Sequence, residues 1–446
     1  MELEVVLERV RERVVPDETE RAELAAVVDD LRSRAERAIS DLPVEADVLL
    51  VGSTARGTWI SGERDVDLFV RFPPDLSREK LERYGREVGY SVLPEGHEEF
   101  AEHPYVKGEY RGFDVDCVPC FAVESAGDIR TAVDRTPFHN AYLVDRIEPL
   151  SDDVRLAKAF LDAIGAYGSN LRTRGFSGFL TELLVDEYGG FTNLLEAAAD
   201  WITPVELDPR SHGRTSFDDP LVVIDPTDPE RNVAAVCSET NVARLQHYSR
   251  AFLAEPTESM FEPWHPDPLS ASDVRQRIET RETTPVALRF PTPDVVDDQL
   301  YPQLDKSLSS IEGTLDRAGF DPIRSTRFAD ETAVLLVECG ITKRPAIERH
   351  EGPPVGVRDH AENFLDAYES TDVTGPFIES DRYVVEKERN HRTPAAHLED
   401  VLSDISLGPA VRTAVESNVD MLVDSELASL TDEFGSHLAR YFNPRP

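Results

Sequence analysis

The strongest constraint on this chain is the order of a few residues near its N-terminus. An apolar run, ADVLLVGS (Ala46 to Ser53), ends in Gly-Ser, and a second run, DVDLFVRF (Asp65 to Phe72), follows a short connection. A short apolar run bounded by a glycine predicts a buried strand, and the second run predicts another. In a strand, residues two apart point to one face, so Asp65 and Asp67 project together. Two neighbouring carboxylates repel unless they share a cation. Hard divalent ions such as Mg²⁺ take oxygen ligands of this kind. YRGFDVDCVPCFAV (Tyr110 to Val123) repeats the pattern with Asp114 and Asp116. Were the two Asp-x-Asp strands adjacent, three or four carboxylates would converge, enough for a two-metal site that serves in-line attack on a phosphate.

The Gly-Ser turn fits the same chemistry. Gly52 allows close backbone approach, and Ser53 opens a segment whose N–H groups and hydroxyl can hold an anion. Arg56, three residues on, reaches the same side of a helical turn and can grip a phosphate oxygen. Residues 57–64 then read as a loop that carries both halves into one site. A lone Asp-x-Asp in an acidic chain is a solvated strand face. The ordered series of strand, Gly-Ser, Arg, Asp-x-Asp and later strand Asp is far more specific.

Composition adds one unusual number. The net charge is −39, from 86 acidic and 47 basic residues, and only six lysines are present. The charge is dispersed rather than gathered in runs. Such a surface repels nucleic acid in dilute buffer. It fits a protein adapted to molar salt, where the Debye length falls to about 3 Å and only close contacts matter. A nucleic-acid substrate is therefore not excluded. No run of apolar residues is long enough to span a bilayer. The charged N-terminal stretch has no apolar signal core, which gives the expectation of a cytoplasmic protein. The four cysteines are too few and scattered for a disulfide framework. Cys117 and Cys120 face opposite sides of a strand and read as structural; one pair does not close a zinc site.

Along the chain, residues 1–42 carry helical periodicity broken at Pro16, with Asp17 as N-cap. LSREKLERYGREVGY predicts a helix between the two Asp-x-Asp strands. From Pro137 to about Leu253 the pattern is mostly helical. Beyond about Ser270, PVALRF, LYPQLDKSLSSIEGTLDRAGF and TAVLLVEC follow a β-α-β order, which suggests a split-βαβ module. Within the helical stretch, Lys158 sits among apolar residues, and a lysine turned inwards needs a partner of opposite charge. Alone, His139 would read as a capping or core histidine and Tyr167 as a core aromatic.

The series VGSTARGTW, DVDLFVRF, DVDCVPC, AVDRTPFHNAYL, VRLAKAFLDAIGAYGS, RGFSGFLTELLV, DPTDPERNVAAVCS, LYPQLDKS and HEGPPVGVRDHAENFLDAY resembles the archaeal, class I CCA-adding enzymes of the DNA polymerase β-like nucleotidyltransferase superfamily. The resemblance implies an α+β multidomain fold: a polymerase β-like head over 1–136, a helical central domain over 137–270 that completes the nucleotide pocket, and a C-terminal α+β, RRM-like module over 271–446 that binds tRNA. It implies that Asp65, Asp67 and Asp116 hold Mg²⁺, with Asp65 standing where the family often has Glu. Asp114 competes with Asp116 on geometry; the family pattern Asp-x-Val-Pro favours Asp116. Ser53, Arg56, His139, Lys158 and Tyr167 match nucleotide-binding positions. Asp225 and Arg231, in DPTDPERNVAA, are candidates for reading the base. The implied reaction is addition of C, C and A to the tRNA 3′ end from CTP and ATP without a template, on a homodimer that grips the acceptor and T arms. A poly(A) polymerase would share the head but not the full series. A silent RNA-binding protein would be expected to have lost carboxylates that are all present here.

Overall fold

The computed structural model describes residues 2–100 and 102–446; Met1 and Ala101 lie outside that description. The chain divides into two compact units, residues 1–264 and 265–445.

The first unit opens with helix α1 (Leu3–Val14) and helix α2 (Glu18–Ser40). Asp17 caps α2 in a reciprocal capping box with Glu20, which fixes the break at Pro16. Then follow β1 (Asp47–Val51), the short helix α3 (Gly52–Arg56), β2 (Asp65–Phe72), α4 (Arg78–Val92), β3 (His97–Phe100), β4 (Pro104–Tyr110) and β5 (Phe113–Phe121). The five strands form one sheet in the order β1-β2-β5-β4-β3. Only the β2–β5 pairing is parallel. Strand β2 alternates as its sequence demands. Val66, Leu68, Val70 and Phe72 pack under α2 and α4 with Leu31, Leu81 and Val88, while Asp65 and Asp67 fall on the other face. On that second face Phe69 joins Val51, Val118 and Cys120, and Cys117 lies in the helix-covered core, so the two cysteines do face opposite sides.

The remainder of this unit is built from α5 (Thr136–Ile147), α6 (Ser151–Ala163), α7 (Gly178–Tyr188), α8 (Phe191–Ala199), a small sheet of β6 (Val205–Leu207), β7 (Leu221–Asp225) and β8 (Asp228–Asn232), and α9 (Glu239–Ala254). Its core gathers Phe160, Phe191, Phe252 and Phe261, and α1 contributes Val6, Leu7 and Val10 to it. The first helix thus packs with the helical part, not with the five-stranded sheet. Within the stretch expected to be mostly helical, DPTDPERN is instead a hairpin: Asp225 ends β7, Pro226 and Thr227 turn, and Asp228–Asn232 is β8.

The second unit holds α10 (Ala271–Arg281), β9 (Thr284–Pro291), α11 (Asp297–Arg317), β10 (Pro322–Ala329), β11 (Thr332–Cys339), β12 (Ile347–Pro354), α12 (Arg358–Tyr368), β13 (Thr374–Glu379), β14 (Arg382–Glu388), α13 (Pro394–Val401), α14 (Pro409–Ser417), β15 (Asp420–Val423) and α15 (Thr431–Phe442). An antiparallel sheet runs β10-β11-β9-β15, and a smaller one runs β12-β14-β13. Strand β11 is apolar on both faces because both are covered. Leu335 and Val337 meet α11 residues Leu304 and Ile311, while Val334 and Leu336 meet Val274 of α10 and Phe434 of α15.

Two glycines let α4 lie close on the sheet. A Cβ at Gly85 would stand 2.5 Å from the Pro119 ring, and one at Gly89 2.5 Å from Val106. Gly85→Ala is expected to destabilise the protein by about 1–3 kcal/mol through overpacking, despite the better helix propensity of alanine. A urea midpoint in molar KCl that does not fall would contradict this packing.

A candidate nucleotidyl-transfer site

The parallel register of β2 and β5 sets Asp65 beside Asp114 and Asp67 beside Asp116. Four carboxylates therefore occupy one patch of the sheet. Asp65 and Asp114, at the strand starts, are exposed, whereas Asp67 and Asp116 are half-buried. Burial first, then the charges of Asp116 and Asp65, push the Asp67 carboxyl up to about 6, against the opposing pull of Arg56. Burial also raises Asp116, opposed by the Lys107 ammonium 3.5 Å away.

The glycine at the β1–α3 turn exists for this carboxylate. Gly52 has φ +75°, and a Cβ there would lie 2.0 Å from Asp67 Oδ2. Ser53 follows in the first turn of α3, and Thr54 Oγ1 donates to the Asp65 carbonyl at 2.6 Å, tying turn to strand.

Arg56 closes α3 and is buried. Its Nε donates to Glu182 Oε2 at 2.7 Å and its Nη1 to Asn140 Oδ1 at 3.1 Å. Glu182, on α7, is fully buried and also accepts from Thr58 Oγ1 at 2.5 Å. Lys158 points at the same segment, donating to the Thr58 carbonyl at 2.9 Å. Its partner is thus a backbone oxygen, with Glu182 as the nearby charge; burial lowers its pKa and Glu182 partly restores it. Arg155, also buried, donates to the carbonyls of Gly57 and Trp59. The 57–59 loop is therefore held from α6 and α7.

His139 and Asp225 meet directly. The His139 Nε2–H donates to Asp225 Oδ2 at 2.8 Å, and the ring stacks on Phe179 with centroids 3.9 Å apart. Arg231 Nη1 donates to the same oxygen at 2.8 Å, and the Thr227 N–H and hydroxyl donate to Oδ1. Burial would raise the Asp225 carboxyl, but the His139 bond and charge, with Thr227, hold it well below the usual range. Both its oxygens are occupied and the residue is 0 % exposed. In this arrangement Asp225 is bonded to His139, Arg231 and Thr227. Tyr167 is half-buried against the helical core, its hydroxyl raised by burial, and Gly178 at the start of α7 lies against it.

Three clusters result, and α5 and α7 link two of them. Consecutive residues of α5 divide their bonds, Asn140 to Arg56 and His139 to Asp225. On α7, Phe179 stacks on His139 and Glu182 holds Arg56. Sequence reasoning missed Glu182, Asn140, Phe179 and Lys107. Glu182 had a signal: a carboxylate inside the apolar stretch GFLTELLV needs a partner.

Comparison with known proteins gives the family. A model described as "Nucleotidyltransferase domain" matches residues 32–139, "tRNA nucleotidyltransferase, second domain" matches 152–262, and "CCA-adding enzyme, C-terminal domain" matches 281–424. The CCA-adding enzyme of Haloarcula marismortui is 55% identical, covering 100% of this chain and 99% of the relative. The chain belongs to the CCA-adding enzyme family. The family's enzyme from Halorubrum lacusprofundi is also 55% identical over the full length of both chains, and that from Methanosarcina acetivorans is 40% identical over 95% of this chain and 94% of its own.

A divalent metal belongs to nucleotidyltransferase chemistry, and the carboxylate patch fits one. Among the described residues no three His, Cys, Asp or Glu side chains already form a closed metal cluster. Mg²⁺ does not require one, since it is usually held by one or two carboxylates with the rest supplied by water and substrate phosphates. The patch carries the charge that such an ion would neutralise, and Asp116 Oδ1 is buried without a hydrogen bond.

Two measurements test this geometry. The folded Asp67 carboxyl, at about 6 against an ordinary 3.8, binds its proton more tightly than the unfolded chain does. Its contribution to stability is therefore full below pH ~4 and is lost as pH rises through about 6. In chelator, Asp67→Asn is expected to match the wild type at pH 4 and exceed it by about 1–3 kcal/mol at pH 7.5. A pH-independent difference between the two would refute the burial of Asp67. Glu182→Ala leaves Arg56 and Lys158 without their buried counter-charge and is expected to cost about 3–5 kcal/mol in a denaturant titration; a loss below 1 kcal/mol would remove Glu182 from the clamp.

Proposed function

We propose that this chain builds and repairs the 3′-terminal CCA of tRNA, adding CMP, CMP and then AMP from CTP and ATP without a nucleic-acid template. The observation that carries the reading is full-length identity of 55% to CCA-adding enzymes, together with carboxylates paired in register beside a Gly-Ser turn. The tRNA 3′-hydroxyl attacks the α-phosphate, a P–O bond forms, and pyrophosphate leaves. Asp65, Asp67 and Asp116 would hold Mg²⁺. The bound ions supply the positive charge that lowers the hydroxyl pKa and steadies the leaving pyrophosphate.

The chain's own groups do the positioning. Asp67 lies against the Gly52 backbone, so the turn that receives the triphosphate and the strand that carries the carboxylates are in contact. Arg56 is pinned through Nε and Nη1, and Nη2, which neither Glu182 nor Asn140 engages, is the donor for a phosphate oxygen. Ser53 adds its hydroxyl at the same turn. Lys158 supports the loop through Thr58 and adds positive charge behind it. Tyr167 closes the pocket from the helical side. His139 and Arg231, set by Asp225, face the base; Arg231 keeps 38% of its side chain exposed.

The division into a head (1–136), a helical domain that completes the pocket (137–270) and a tRNA-binding part (271–446) belongs to this proposal. So do assembly as a homodimer, work in the cytoplasm and recognition of the acceptor and T arms by shape. The β9-α11-β10-β11-α14-β15 order with strand sequence β10-β11-β9-β15 supports a split-βαβ module. An RRM stacks bases on an open sheet face. Here α10 and α15 cover that face, so tRNA contacts come from other surfaces of the unit.

The deciding assay supplies tRNA lacking CCA, in molar KCl with Mg²⁺, and resolves products at single-nucleotide length. Two additions with CTP and a third only with ATP are expected. Long A tails would point to a poly(A) polymerase. Asp67→Ala is expected to lower transfer by at least about a thousandfold, as loss of transition-state charge stabilisation does, with tRNA affinity held within about threefold; normal turnover in that variant would refute the metal assignment.

A further inference from the structure

One cation stands on the carboxylate face without a role in the reaction as derived. Lys107, one of six lysines in a chain of net charge −39, lies on β4 directly opposite Asp116 in the β4–β5 register. Its Nζ is 3.5 Å from Asp116 Oδ1, an ion-pair distance that is too long for a good hydrogen bond. The charge of Asp116 raises its pKa, with Asp114 adding to the effect, so it stays an ammonium at working pH. The side chain is 39% exposed, so water reaches it and it can swing away without leaving a cavity. Around it stand Asp65, Asp67, Asp114 and Asp116 in two register pairs, and Glu99, whose charge also acts on Asp116.

We propose that Lys107 is the resident counter-ion of the metal-binding face: it neutralises Asp116 in the metal-free protein and must be displaced, or repelled against, when a divalent cation binds. The proposal rests on the assignment of Asp65, Asp67 and Asp116 as metal ligands. Two like-charged pairs in adjacent strands need a cation to coexist with a folded sheet. Lys107 supplies one that is attached to the chain, and the looseness of its contact makes it exchangeable. The cost of that arrangement falls on the metal. An ammonium beside Asp116 weakens the attraction felt by an entering ion, so the free protein holds divalent metal weakly. A nucleotide triphosphate brings enough negative charge to offset Lys107, so metal occupancy follows nucleotide arrival.

The test is metal binding by the full chain in molar KCl. Mn²⁺ is titrated into wild type, Lys107→Met, Lys107→Gln and Lys107→Arg without nucleotide, and free ion is read by its electron paramagnetic resonance signal. Lys107→Met and Lys107→Gln are expected to bind Mn²⁺ about 5–20-fold more tightly than wild type, and Lys107→Arg to stay within about twofold of it. Thermal melts in chelator should show the two neutral variants less stable than wild type, with the deficit removed by Mn²⁺. Unchanged or weaker Mn²⁺ binding in the neutral variants would overturn the inference, weaker binding meaning that Lys107 orients Asp116 for the metal instead of competing with it. Asp67→Asn separates the two layers of the argument. Its failure to reduce Mn²⁺ binding, or the lack of any saturable site in wild type and in both neutral variants, would overturn the metal assignment itself and this inference with it.

Discussion

Everything in the first unit answers to one electrostatic problem: holding like charges together on a sheet that must also bury its other face. The parallel pairing of β2 and β5 puts Asp67 next to Asp116, and the hydrophobic alternation of DVDLFVRF forbids any slip of register. A one-residue shift would drive Val66 and Leu68 into solvent and the aspartates into the core under α2 and α4. Burial of four apolar side chains thus fixes where the charges stand. The repulsion between them is a local cost carried by a cooperative core, and it leaves the patch ready for a cation.

The second problem is keeping the Gly52-Ser53 turn in register with that patch. Gly52 solves it from one side, by letting Asp67 rest on backbone. The helical part solves it from the other. Glu182, Arg155 and Lys158 are all buried, and all three end on residues 56–59. Buried charges are expensive unless fully partnered. Three of them converging on one short loop define a single position for it, which matters where an ångström of misplacement costs rate. Because α5 bonds to both Arg56 and Asp225, a shift of that helix would disturb both clusters together.

What was legible in the sequence follows from the range of the signals. The N-cap at Asp17, the alternation in β2 and the facing aspartates are local patterns, and each stands as read. Strands β3, β4 and β10 were not legible. HEEF and DPIRSTRFA carry little apolar content because they are edge strands, and PYVKGEY mixes its polarity. The β7–β8 hairpin lay inside a stretch whose helical periodicity on both sides masked it. The site shows the same division. The carboxylates announce themselves by spacing, but the partners of Arg56 and His139 lie 84 to 126 residues away. No spacing rule reaches that far; only the resemblance placed His139 and Lys158 in the pocket, and nothing pointed to Asn140. The sequence context of Asp225 likewise does not reveal the four donors that surround it.

The surface charge returns in the question of how such a protein holds tRNA. A chain at −39 and a polyanion attract each other only through local exceptions to the net field. In molar salt the field itself reaches about 3 Å, so the exceptions need only be small. Counterion release, which dominates protein–nucleic acid affinity in dilute buffer, is correspondingly weak there. Affinity must then come from shape, hydrogen bonds to sugar hydroxyls and stacking, which salt leaves largely intact. The sheet of the second unit cannot supply the stacking platform, because α10 and α15 already occupy it. On the small β12-β14-β13 sheet, by contrast, Ile347, Phe377 and Ile378 remain exposed. Exposed apolar side chains interact through a term that molar salt does not screen, whereas charge contacts fade with it.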